Sequence, residues 1–311
     1  MVRSFEILNR MRPIRNRDPE VFRLITIRTC EARLWISPTS NVRKLIGGII
    51  ARYQEIFGIE LFAYNVLGNH MHLLVRAPGS NIDEFCENVN REIAKRINWR
   101  NKREGKFWGR RYDDQQVISE DDLLEAFLYV TTNPTKHGLV SNSQDWPGLN
   151  SYEHCLTEKD RHFSFNHYSE EPRVTKHKLK LSVLPAFKKL SKGKRIALIK
   201  RLLVERTNEI AEERGKGFLG LQALLDQAPG EMPGKVSKSP RPRCYTKCPE
   251  LRRNFRKLDR ARRDEYSYAS MRYRVGIDVT FPEFSFKPPV HRAPRLIPFK
   301  PLTAEHFKNA A

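Results

Sequence analysis

No stretch of the 311 residues holds the roughly 18 consecutive apolar side chains that a membrane-spanning helix needs. The first twenty residues, MVRSFEILNRMRPIRNRDPE, are basic but lack an apolar run, so a secretory signal is not expected there. Cysteine is scarce and scattered, with five in all at positions 30, 86, 155, 244 and 248. An odd number at irregular spacing does not make a disulfide framework, and it predicts a reducing, cytoplasmic setting. Cys244 and Cys248 form a CxxxC pair, but no second Cys or His pair follows at finger spacing, so structural zinc is not expected. The most telling shortage is of acid: 36 Asp and Glu against 57 Lys and Arg, a net charge of +21. A soluble chain so basic usually meets a polyanion, most often nucleic acid and sometimes an anionic membrane surface. Hydrophobic residues make up 39% of the chain, enough for a core, which excludes wholesale disorder.

The charge is unevenly placed. Residues 1–160 hold 23 basic and 21 acidic side chains, a net of +2, whereas residues 161–311 hold 34 and 15, a net of +19. The first half alternates short strands and helices. Residues 21–28 are β-branched and partly alternating, so they read as a strand. From about Asn41, Val42, Leu45, Ile46, Ile49, Ile50, Tyr53 and Ile56 recur at helical spacing up to Gly58. Residues 59–67 read as a second strand, Gly68-Asn69 as a turn, and 70–76 as a third strand. A helix near Asn81 places Phe85, Cys86, Val89, Ile93 and Ile97 on one face, and 112–118 is a polar fourth strand. Ser119 and Asp122 have capping-box spacing, and the helix they open is expected to stop at Asn133, before Pro134. The order β-α-β-β-α-β plus a helix predicts an α+β, ferredoxin-like antiparallel sheet with helices on one face.

Two short constellations carry chemistry. In Asn69-His70-Met71-His72 on a strand, His70 and His72 point the same way and Met71 the other. Two neighbouring imidazoles suit a divalent metal, and they equally describe two ordinary surface histidines. Tyr129 and Asn133 lie one helical turn apart. A Tyr hydroxyl can act as a nucleophile and an Asn carbonyl as an oxygen ligand; the alternative is a core tyrosine followed by a C-cap. Arg91, Lys95, Arg96, Arg100, Lys102, Arg103, Arg110 and Arg111 surround Trp99, Phe107 and Trp108, a mixture that suits phosphates and unpaired bases, or else a solvated face over core aromatics.

Taken in order, His70-Met71-His72, then Phe107-Trp108 with Arg110-Arg111-Tyr112, then the run from Tyr129 through Asn133-Pro134 to Val140, then Asp145-Trp146-Pro147 and Ser151-Tyr152, resemble the REP-associated tyrosine transposases. These are single-tyrosine HUH transposases, related to the smallest bacterial insertion-sequence enzymes. The resemblance covers about residues 15–155. It implies an HUH nuclease fold in which His70 and His72 bind a divalent metal, Asn133 is the further polar ligand, and Tyr129 attacks DNA. It also implies a 5′-phosphotyrosine with a free 3′-hydroxyl, and single-stranded DNA carrying REP-like hairpins as partner. Tyr112 is a rival hydroxyl, but it sits on a strand and the family's nucleophile sits on a helix. A mixed nitrogen and oxygen site with open positions suits Mg²⁺ or Mn²⁺ better than zinc. The implied setting is a bacterial-type cytoplasm, with nucleoid association when bound, and the chain acts as a monomer or a homodimer.

The rest of the chain lacks a motif. The expected organisation is a basic N-terminal arm at 1–18, the transposase domain at 19–155, a helical extension at 156–227, a Pro/Gly/Ser linker at 228–243 and a basic tail at 244–311. Within the tail, Arg252, Arg253, Arg256 and Lys257 lie on a dense basic helix suited to DNA. On this reading the C-terminal half sets salt-sensitive affinity, and cutting survives truncation near residue 160. The competing functional reading is a non-catalytic, domesticated binder of hairpins or single strands. RNA binding through the sheet is disfavoured, because the third strand has no run of aromatics.

Overall fold

The computed structural model describes residues 14–168, 173–234 and 241–286. It divides into two units, one of residues 17–254 and the other, among the described residues, of 14–16 and 255–286. Residues 1–13 of the expected N-terminal arm lie outside the described residues.

The larger unit is built on a five-stranded sheet. Its strands in chain order are β1 (Arg23–Arg28), β2 (Glu60–Val66), β3 (His70–Arg76), β4 (Asp113–Val117) and, after a hairpin β5 (Arg161–His167) and β6 (Arg173–Leu179), β7 (Cys244–Tyr245). The spatial order is β2-β3-β1-β4-β7. Among the first four strands each hydrogen-bonded pair is antiparallel, and β7 adds a short parallel edge beside β4. Helices α1 (Ser40–Phe57) and α2 (Ile82–Arg100) complete the split β-α-β pattern expected from the sequence. α1 starts at Thr39, whose hydroxyl accepts from the Val42 N–H, and ends at Gly58 in the left-handed conformation.

α1 and α2 cover one face, burying Ile46, Ile49, Phe85 and Ile93 against Ile25, Ile27, Leu73 and Val75. The other face is covered as well. α3 (Glu120–Thr131), backed by α6 (Lys192–Arg214), packs Leu123, Phe127, Ile199 and Leu203 onto Leu24, Phe62 and Leu74. This two-sided cover explains why β3 is buried from His70 to Val75 without alternation. Ser119 caps α3 through the Asp122 N–H at 3.1 Å. The helix ends at Thr131, and a second short helix α4 (Asn133–Lys136) follows. Pro134 sits in the first turn of α4, where its missing N–H costs no hydrogen bond, so the proline begins a helix as well as ending one.

Three boundaries differ from expectation. Within the supposed helical extension, residues 161–167 and 173–179 form the β5–β6 hairpin, and it packs on α1. Phe163 and Phe165 alternate inward, and Phe165 lies between the guanidinium groups of Arg52 and Arg96 at 4.5 and 4.3 Å. Short helix α5 (Tyr152–Thr157) precedes the hairpin and α7 (Leu221–Leu225) follows α6. Second, the described part of the linker is docked on the domain. Leu34 N–H donates to Glu231 O at 2.9 Å, Gly230 N–H to Leu34 O at 3.1 Å, and Gly230 lies so close to the Trp35 ring that a Cβ there would enter it. Third, the supposed tail begins by joining the sheet as β7, then enters α8 (Pro249–Arg274). In the smaller unit, Tyr266 and Tyr273 of α8 flank Phe281, with ring centroids 5.4 and 5.5 Å away.

Candidate active site

The strand register lays out the site. On β3, His72 lies opposite Thr26 of β1 and Asn65 of β2, and His70 lies opposite Arg28. Side chains in one cross-strand row share a face, here the α3 face. The two imidazole rings stand 5.0 Å apart, edge to face. Both histidines are buried, at 5% and 4% exposure. The Tyr129 ring comes down from α3 to 5.3 Å from His72. Asn133 is fully buried at the first position of α4, and its Oδ1 accepts from Asn65 Nδ2 at 3.4 Å. The four residues singled out for catalysis and metal binding thus converge on one point.

The second ring nitrogens are held from behind. His70 Nδ1 donates to Asn69 Oδ1 at 2.6 Å, and His72 Nδ1 hydrogen-bonds Thr26 Oγ1 at 2.8 Å. A proton on His70 Nδ1 leaves a lone pair on Nε2, the form in which histidine ligates metal. His72 Nε2 is buried and has no hydrogen-bond partner among the described residues, as is Asn133 Nδ2. An orphaned buried ring nitrogen beside a second imidazole and an amide is what a divalent cation would satisfy. His70, His72 and Asn133 therefore fit a hard or borderline divalent ion. Among the described residues no cluster of three or more His, Cys, Asp or Glu is set to bind a metal, so the third ligand would be the amide.

The electrostatics are of one sign. Burial lowers the pKa of His70 well below its ordinary value, and His72 and His137 lower it further. Burial takes His72 down to about 3, aided by His137, Arg28 and Lys136. Both rings are neutral at physiological pH and available as ligands. Burial pushes the Tyr129 phenol up, while the Asn133 amide and the Arg28 charge pull it back. The Lys136 ammonium stands 4.8 Å from the Tyr129 ring.

Several contributors had no assigned role in the sequence reading. His137 brings its ring to 5.1 Å from His70. Arg28, His70 and His137 line a cleft of about 490 Å³, and Tyr129, Lys136 and Tyr245 line another of about 570 Å³. Thr26, Arg28 and Asn65 join the site through strand pairing, which no local spacing reports. A further cleft of about 730 Å³, between α1 and β5, shares no residue with this site. Tyr112, the rival hydroxyl, is buried in the α1–α2 core on the far face of the sheet.

The basic residues expected to hold DNA separate into groups. Lys95, Arg100, Lys102 and Arg111 are exposed, and so is Arg91, 3.8 Å from Glu87. Arg96 does not belong with them. It is 5% exposed, ion-paired to Glu92 at 2.8 Å and bonded to Asn166 O at 2.7 Å, because it sits on the buried stripe of α2. Arg103 stacks over Trp35 at 4.5 Å, and Arg110 is paired with Asp113. Trp108 donates to Asn90 O at 2.8 Å and packs on the core. Arg252 donates to Thr246 O at 2.6 Å, Arg253 is exposed, and Arg256 and Lys257 are exposed in the smaller unit. All five cysteines are free thiols.

Comparison with known proteins adds to this geometry. Residues 26–130 match the family described as "Transposase IS200 like". Over 105 residues the chain is 30% identical to a Haemophilus influenzae protein named "Putative REP-associated tyrosine transposase", covering 30% of this chain and 59% of that one. The chain thus spans about three-fifths of the length of that relative. A solved structure of a REP-associated tyrosine transposase bound to a REP hairpin aligns with a TM-score of 0.39 at 21% identity, over 47% of this chain and 84% of that chain. Residues 26–130 are thus similar to transposases of the kind that the motifs resemble.

Proposed function

We propose that this transposase-family chain cuts and rejoins single-stranded DNA beside hairpins, with Tyr129 as the nucleophile. The observation that carries the reading is the convergence of Tyr129 and Asn133, from the α3–α4 junction, on His70 and His72 of β3. The hairpin context follows the relative's description as REP-associated.

His70, His72 and Asn133 would hold Mg²⁺ or Mn²⁺, which when bound supplies Lewis acidity to a non-bridging phosphate oxygen. Thr26 and Asn69 fix the two imidazole rings so that the ligand nitrogens face the site. The Tyr129 oxygen forms a bond to phosphorus and the P–O3′ bond breaks. The phenol proton passes to solvent, the departing 3′ oxygen ends as a hydroxyl, and the 5′-phosphate stays on Tyr129. Attack by a 3′-hydroxyl on that phosphotyrosine reverses the step and joins strands. Arg28 and Lys136 place fixed positive charge beside the ring, offsetting the burial that disfavours phenolate.

The test is incubation with hairpin-bearing single strands and Mn²⁺, followed by a denaturing gel. Tyr129→Phe should lose the covalent adduct and retain DNA binding, and chelation of the wild type should stop cleavage while sparing most affinity. Adduct formed by the Phe variant, or cleavage indifferent to chelator, contradicts the proposal. Binding with no cleavage under any condition favours the domesticated binder instead.

A further inference from the structure

We infer that the cleft bounded by α3, α4, α6 and β7 is a track for single-stranded DNA, holding backbone phosphates next to the nucleotide attacked by Tyr129. This rests on Tyr129 being the nucleophile and says where the rest of the strand goes.

The cleft has a volume of about 570 Å³, and the Tyr129 ring forms part of its wall. Five cations line it, Lys136, Arg206, Arg214, Lys216 and Lys247, against two carboxylates, Glu125 and Glu213. Glu125 is committed, since it pairs with Arg206 at 2.6 Å and with Lys247. Those two pairs tie α3 to α6 and to the segment after β7, so they build the wall. Lys136, Arg214 and Lys216 are left, and among the described residues none of them is in an ion pair. Lys136 and Lys216 are exposed, and Arg214 is half-buried against Gly138 and Phe218. Three uncommitted cations facing one carboxylate attract a polyanion.

The walls also fit this occupant. Tyr245 faces Tyr129 with ring centroids 6.2 Å apart, giving aromatic surface of the kind on which splayed bases stack. A concave site of this size accepts a nucleotide or two of a flexible single strand and excludes a stiff duplex. Lys136 lines this cleft while its neighbour His137 lines the Arg28–His70 cleft, so α4 is a ridge between them. A strand lying across Tyr129 therefore meets cations on both sides of the ridge. Seven of the eleven lining residues lie between 206 and 247, outside the 26–130 segment that matches the family.

The experiment uses the full chain and a short fluorescent single strand, with affinity measured by anisotropy across a salt series. Each lost phosphate contact should flatten the slope of log K against log salt by about 0.7 for single strands, so R214A/K216A should flatten it by about 1.4. Lys216→Glu, at an exposed position that does not challenge folding, should weaken binding further than Lys216→Ala. The control is K188A/K189A, two exposed lysines before the other end of α6, which should leave the slope unchanged. An unchanged slope in R214A/K216A, or an equal loss in the control, overturns the inference. Either result can be read in Tyr129→Phe protein, where no cleavage occurs, so failure of the track is separable from failure of the nucleophile.

Discussion

At the scale of single residues, the site is read by its neighbours as much as by its ligands. Thr26 holds His72 Nδ1 at 2.8 Å, so Thr26→Val should leave the fold intact and weaken Mn²⁺ binding by about 10- to 100-fold in calorimetry. An unchanged affinity would show that the ring needs no such support. A third buried histidine, His154, reports on stability. Arg161 donates to the Tyr64 hydroxyl at 3.1 Å, and that hydroxyl, 2.9 Å from His154 Nδ1, donates onward to a neutral ring. Burial lowers the His154 pKa to about 4, with Arg161 adding to the effect. The unfolded chain therefore binds the proton more readily between about pH 4 and 6.5, and stability falls as pH drops through that window. The contribution is complete above 6.5 and amounts to about 3 kcal/mol lost at the acid end. His154→Gln, which cannot titrate, should flatten that part of the pH dependence in urea melts, and parallel pH curves for both proteins would refute it. His70, His72, Tyr129 and Asn133 were legible as a set through the order of the motifs that resemble a known family, since their spacings alone equally describe surface histidines and a core tyrosine before a C-cap. Thr26, Arg28 and Asn65 were not, because strand register brings them in from distant sequence. Arg96 was misplaced among the DNA contacts although the signal was present: it lies three residues after Ile93 and seven after Val89, on the apolar stripe.

At the scale of elements, Gly47-Gly48 in the middle of α1 explains the hairpin that the sequence reading missed. A Cβ on Gly48 would lie 2.3 Å from the Ser164 carbonyl oxygen, and one on Gly47 would enter the Phe163 ring. Two glycines cost a helix roughly 1 kcal/mol each, and here they let β5 lie against the helix backbone. Gly48→Ala should destabilise by about 1–3 kcal/mol despite its better helix propensity, since backbone must move. Gly193→Ala in α6 meets no atom and should be neutral or slightly stabilising. Comparable urea midpoints for the two variants would contradict this account of the packing. The split β-α-β order, the Ser119 cap and the Gly58 stop were readable from periodicity and capping chemistry. The β5–β6 hairpin was not, because the outward positions of β5 (His162, Ser164, Asn166) are polar and those of β6 include Lys176 and Lys178, which merge with the charged helix that follows; the period-two Phe163, Phe165 pattern was the available signal.

At the scale of the whole molecule, the charge split of +2 and +19 does not mark two independent halves. Phe165 and Leu179 are core residues of the α1–α2 layer, Leu203 is buried against α3, and β7 completes the sheet. A chain cut near residue 160 loses all of these. The expectation that cutting survives such a truncation is therefore replaced by its opposite: residues 1–160 should fail to show a cooperative melt, and a soluble, active fragment would contradict this. C-terminal cations and Tyr129 meet in one cleft, where Arg206, Arg214, Lys216 and Lys247 share the lining with the Tyr129 ring. That meeting also sharpens the central test, because Tyr245 is a second half-buried phenol close to the first. The decisive measurement is mass spectrometry of the protease-digested protein–DNA adduct. The nucleotide should be found on the peptide containing Tyr129. Its appearance on Tyr245 or Tyr112, or on no tyrosine at all, would contradict the account.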